Sequence, residues 1–185
     1  MKNMLKSKKG LSTVVTTLII LVVSVLLATV VTYYAINITT NRMAQESLQM
    51  SNLHVWYNTT GTWAEAGFAL VNTGGKDVVL QSITTRSQPA TWSNVFYWTT
   101  DTAIIQNMSV SSVPLTTTAK ALINATLTTL KPASGVITLK AGWTIVVYIM
   151  HPGSIGQNDV GTSVDVTVFT ANAQWTQETN VQAAQ

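Results

Sequence analysis

Four asparagines are followed two positions later by a hydroxyl residue: Asn37-Ile38-Thr39, Asn58-Thr59-Thr60, Asn107-Met108-Ser109 and Asn124-Ala125-Thr126. Asn-x-Ser/Thr is the acceptor pattern for an N-linked glycan. In a chain with about thirty threonines some matches arise by chance. Position along the chain ranks them. Asn58 and Asn124 fall in expected turns or loops and come first, and Asn107 follows. Asn37 falls on an expected helix and comes last. Other chemistry is thinly represented. His54 and His151 are the only histidines, far apart in the chain, with no cysteine and no acidic pair at ligand spacing. Asp77, Asp101, Asp159 and Asp165 are read as solvated or turn acids. Gly153-Ser154-Ile155-Gly156 lacks the spacing of a nucleophile elbow. With no phosphate loop and no defensible acid–base pair, the expectation is a chain without catalytic residues, metal or cofactor.

The elements that carry these residues are announced by charge. Charged residues make up 9% of the 185, against about 25% in ordinary soluble domains. The polar surface must therefore come from Thr, Ser, Asn and Gln, a composition suited to strands. The net charge of +3 is misleading. Lys2, Lys6, Lys8 and Lys9 crowd the first ten residues, and the remainder holds six basic and seven acidic side chains. That body offers nothing to neutralise a phosphate backbone, so nucleic acid is not an expected partner.

After Gly10 no charged side chain occurs until Arg42. The apolar heart, Val14 to Ile36, is about 23 residues without Pro or Gly. At ~1.5 Å per residue it spans a hydrocarbon core of ~30 Å. The lysines hold its N-terminal side in the cytoplasm, and Tyr33 and Tyr34 mark the outer end. Three fates fit such a segment. A secretory signal would be cut after it, but Ala35 at −1 places the bulky Tyr33 at −3. A permanent anchor would stay whole. A cut between Gly10 and Leu11 would leave a naked apolar helix.

KSKKGLSTVVTTLIILVVSVLLATVVTYYA resembles the class III signal peptides of archaeal type IV pilins and archaellins. The resemblance is strong over about the first forty residues and looser beyond them. It implies that a membrane peptidase recognises Lys8 and Lys9 and cuts between Gly10 and Leu11. The fifth mature position is Val15, where bacterial pilins usually carry glutamate, and this departure points to the archaeal branch. The resemblance further implies an extracellular adhesion filament. The subunit would be inserted in the membrane first, with its N-terminus cytoplasmic. It would then polymerise through its helices, with the class III signal peptidase and the pilus assembly machinery as partners. An archaellin, or a monomeric membrane-anchored binding domain, are the alternatives.

The physics of the cut agrees. Moving a lysine to the bilayer centre costs roughly 2.5–3.5 kcal/mol. Once the leader is gone that barrier to extraction is gone too, and a helix apolar on every side packs among copies of itself as well as in lipid. The helix is expected to run to about Met50. The rest alternates strand and turn signals: LHVWY (53–57), AGFALV (66–71), DVVLQSITT (77–85), SNVFYWTT (93–100), a weaker AIIQNMSV (103–110), GVITL (135–139), WTIVVYIM (143–150), SVDVTVFT (163–170) and AQWTQETNV (173–181). The NTGGK turn predicts a hairpin between the second and third of these. Pro114 to Ser134 reads as a long loop with a helical turn near Lys120–Asn124. The expected fold is α+β: a leader at 1–10, a long hydrophobic α-helix at 11–50, and an all-β, immunoglobulin-like β-sandwich head at 51–185. Six tryptophans are expected mostly in packing, with Trp63 and Trp92, near turns, as candidates for subunit or sugar contacts.

Overall fold

The computed structural model describes residues 2–101, 105–116 and 119–184, with side chains for 12–42 and from 45 onward. It falls into two compact units, residues 1–43 and 44–185. The fold class read from the sequence is the one found: a long N-terminal apolar helix followed by an all-β domain built on a curled sheet.

Helix α1 is Lys2–Ala44. Val, Ile and Thr are modest helix formers in water, yet the segment is helical throughout, and six of its hydroxyls turn inward on its own backbone. Thr16, Ser24, Thr29, Thr32 and Thr40 donate to the carbonyl four residues back at 2.7–2.9 Å, and Thr17 to the carbonyl three back. The helix stops at Ala44, short of the expected Met50. The spacing of Met43, Ala44 and Leu48 imitates a helical stripe, but Leu48 already belongs to a strand and points into the core of the head.

Among the described residues twelve strands follow: β1 Leu48–Asn58, β2 Trp63–Asn72, β3 Val78–Thr85, β4 Gln88–Pro89, β5 Val95–Thr100, β6 Lys120–Ile123, β7 Thr126–Thr129, β8 Lys131–Pro132, β9 Ile137–Leu139, β10 Thr144–Met150, β11 Ser163–Thr170 and β12 Gln174–Ala184. Ten form one sheet in the order β4-β3-β11-β12-β1-β2-β10-β5-β8, with β9 also on β3. The sheet curls into two layers because β12 serves both. Its residues 174–180 pair antiparallel with β11, and Val181–Ala184 pair parallel with β1. Val164, Val166 and Val168 of β11 meet Val55 of β1, Phe68 and Leu70 of β2 and Ile145 and Val147 of β10 in one buried cluster between the layers.

A second buried cluster lies on the other face of β1, β2, β10 and β5. Trp56, Trp63, Phe96, Val146 and Tyr148 are covered there by Ile105, Met108, Leu115, Ala121, Ile123 and Leu130. β2 and β10 are therefore buried on both faces, which explains why AGFALV and WTIVVYIM read as continuous apolar runs with no alternation.

Three expectations change. β2 and β3 do not pair: β1 and β10 already flank β2, and the NTGGK segment carries the chain to the other layer. The amide of Asn72, fully buried, fixes that crossing by donating to the carbonyls of Lys76 and Leu139 and accepting from Gly74 N–H. β10 and β11, next to each other in the chain, also sit in different layers. The region expected to be a loop with a helical turn contains the β6–β7 hairpin, closed by Asn124-Ala125 with φ of 49° and 60°. Two positive φ values make a type I′ turn, whose twist suits a two-residue hairpin. Of the weak strand at 103–110, residues 103 and 104 lie outside the described residues, and the remainder makes a single bridge, Met108 to Ile123.

Candidate functional site

The largest exposed apolar surface is α1 itself. Residues 12–42 form a span long and apolar enough to cross a membrane; its most apolar 18-residue window has mean hydropathy 2.9, and none of the span is buried. Its large apolar side chains from Val14 to Ile38 are 46–68% exposed. From Val14 to Thr32 every hydroxyl bonds to the helix backbone, so that stretch presents almost no free polar group to lipid or to another helix. Asn37 bonds to the Tyr33 carbonyl in the same manner, at 3.1 Å. Lys8, Lys9, Gly10 and Leu11 lie on the helical backbone, and their side chains are outside the described ones.

The sequons are sorted by the fold. Asn58 ends β1 and is only 9% exposed, with its side-chain oxygen Oδ1 accepting from Gly61 N–H at 2.6 Å. Asn124 is exposed at the tip of the β6–β7 hairpin, where its side-chain oxygen accepts from the backbone of Gln106 at 2.7 Å and Asn107 at 3.3 Å. Asn107 and Asn37 are exposed. Asn58, ranked first from the sequence, thus has the least accessible side chain of the four. Trp63 packs in the second core cluster with Trp56, while Trp92 packs half-buried against the first. His54 stacks on Trp56 with ring centroids 5.2 Å apart, and His151 is exposed. Among the described residues no three His, Cys, Asp or Glu side chains gather as a metal site.

Two acidic residues gain meaning that the sequence did not announce. Glu46, just past the helix, is gripped by the head. Thr170 Oγ1 donates to it at 2.7 Å, Asn172 Nδ2 donates as well, and Lys76 Nζ lies 3.5 Å away. Burial alone would raise its carboxyl, but the Thr170 and Asn172 bonds and the Lys76 charge outweigh it and hold the group below the usual value. The neighbouring Ser47 carbonyl accepts from Thr73 N–H at 2.9 Å and Gly74 N–H at 3.1 Å, so the entry to the head is tied to the β2–β3 crossing.

Glu65, in the middle of the sheet on β2, is completely buried. Its partners are the backbone N–H of Ser111, at 3.4 Å, and the Ser111 hydroxyl. Burial pushes its carboxyl up to about 7, against the partial relief of those Ser111 bonds. Beside it Tyr148, raised by burial and by the neighbouring Glu65, donates its hydroxyl to the Ser109 carbonyl at 3.0 Å. The available signal was a single acid between Ala64 and Ala66 at the start of an apolar run. In sequence comparison the chain matches no protein-family model and no curated protein.

Proposed function

We propose that this chain is the structural subunit of an extracellular archaeal type IV pilus-like filament. Class III processing after Lys8-Lys9-Gly10 produces the mature subunit, and adhesion is the first use for the filament. The observation that carries the reading is a helix without one buried residue from Ser12 to Arg42, six of its hydroxyls bonded to its own backbone, placed directly after a cationic leader. At ~25 cal/mol per Å², leaving more than about 1,000 Å² of such surface in water would cost tens of kcal/mol. The helix needs lipid or its own copies. Before the cut, the leader lysines hold it in the membrane. After the cut it can exchange lipid for identical helices, and the Thr-rich heads form the filament surface.

A membrane-anchored binding domain would use the same helix but has no need of the Gly10-Leu11 junction. Expression of a Gly10→Phe variant in an archaeal host with the processing peptidase separates the two. The wild type should yield filaments in electron micrographs of sheared surface material, with Leu11 as the first residue by N-terminal sequencing. The variant should stay in the membrane at full length and yield no filaments. Wild-type protein that keeps Met1, or that remains a single membrane-bound molecule after trimming, would overturn the reading.

A further inference from the structure

A second device lies in the head and is independent of whether the chain polymerises. Residues 105–116 cross the outer face of β1, β2 and β10 without adding a strand to the sheet; one β-bridge and the Asn107 and Ser109 backbone bonds tie them to the β6–β7 hairpin, and Asn52 donates to the Ile105 carbonyl. They keep water from Trp56, Tyr148 and their neighbours by burying Ile105, Met108 and Leu115. Beneath this strap sits Glu65, whose hydrogen-bond partners both belong to Ser111 on the strap. Tyr148 holds the strap two residues earlier, through the Ser109 carbonyl.

Among the described residues the surroundings of Glu65 offer a negative charge no ion-pair partner. β1 contributes Trp56, directly opposite in register, and His54, stacked on that indole. β10 contributes Met150, opposite Glu65 on the other flank, and Tyr148. The strap contributes the Ser111 hydroxyl and N–H. Both ion pairs found among the described residues lie elsewhere, at Glu46–Lys76 and Arg86–Asp159. A carboxylate formed here would regain water most directly through the strap, because β1 pairs with β2 without a break from His54 to Asn58 on one side of Glu65 and β10 pairs from Thr144 to Met150 on the other.

We propose that residues 105–116 are a proton-dependent strap, fastened over the sheet while Glu65 is a neutral acid and loosened when Glu65 ionises. Loosening exposes the aromatic face of the sheet around Trp56 and Tyr148. The closed form holds its proton to about pH 7, whereas a strap-open, hydrated Glu65 would lose it near the ordinary glutamate value of 4.5. Opening is therefore least favourable below pH 4.5, grows with pH between these values, and levels off above about 7.

The test is hydrogen exchange by mass spectrometry on the full chain in neutral detergent, corrected for the intrinsic pH dependence of exchange. Between pH 5 and pH 8 the amides around Met108–Ser112 should lose protection by roughly 50–100-fold, while those of β10 hold theirs. Glu65→Gln should make the strap profile flat. Ser111→Ala should lower strap protection at every pH and keep the slope. Uniform wild-type protection across that range, or a slope that survives in Glu65→Gln, overturns the proposal. Should Glu65→Gln not fold, the infrared band of the protonated carboxyl in the wild type decides. It must fade in step with the loss of strap protection, and its absence at pH 5 defeats the proposal.

Discussion

Glu46 and Glu65 are chemically identical and respond to pH with opposite signs. Glu46 has a depressed folded value, so its contribution to stability is present above the unfolded value of 4.5 and disappears as pH falls through the lower folded one. Glu65 has a raised value, so stability is greatest below 4.5 and declines until about pH 7. Glu46→Gln removes the charge that meets Lys76 and weakens the bonds from Thr170 and Asn172. It should cost about 1–2 kcal/mol at pH 7, read from denaturant midpoints of the full chain in detergent. The difference from wild type should shrink at acid pH, and a constant difference down to pH 3 would contradict this account. Neither role was visible in the residue string. Glu46 looked like one polar residue among several after the apolar helix. Its partners Lys76, Thr170 and Asn172 are brought to it only by the sheet order.

At the scale of elements, legibility followed burial on both faces. β2 and β10 were plain in the sequence because nothing polar interrupts their central runs, and Val164, Val166 and Val168 gave β11 by alternation. The strap and the β6–β7 hairpin were not plain. Their apolar residues are scattered among Ser and Thr, and only the outer face of the sheet gives those residues something to cover. Turn chemistry misled as well. NTGGK looked like a hairpin and is a crossing between layers, whereas Arg86-Ser87, with no hairpin signature, turns at φ of 51° and 61° between β3 and β4. One pairing runs against electrostatics: Asp165 of β11 stands directly opposite Glu178 of β12. Like charges so placed destabilise a sheet. Glu178→Lys should therefore raise stability by about 0.2–1 kcal/mol in low salt, an effect that fades as salt is added. Thermal unfolding at two salt concentrations checks it, and a lower melting temperature in low salt would count against the register.

At the scale of the molecule, the buried clusters of the head are drawn, among the described residues, from Leu48 onward. On the proposed function, the head's folding and the helix's association are then separable by mutation. Val25 is 58% exposed near the middle of the apolar span. Val25→Lys should cost about 2.5–3.5 kcal/mol for insertion at the bilayer centre. It should abolish filaments while leaving the fluorescence of the six tryptophans, all beyond residue 50, unchanged. Filaments of normal length from this variant would mean that the helix is not the polymer's core.

The parallel pairing of β1 with the end of β12 has a practical consequence. Running side by side in the same direction, the two strands bring Ala184 beside Asn58, at the opposite end of β1 from Leu48, where the chain comes in from the helix. Over eleven residues at about 3.3 Å each, entrance and exit are separated by roughly 30 Å. A peptide or reporter placed after Ala184 would therefore leave the head at the end of β1 opposite Leu48, away from the Glu46 contacts that fix the start of the head.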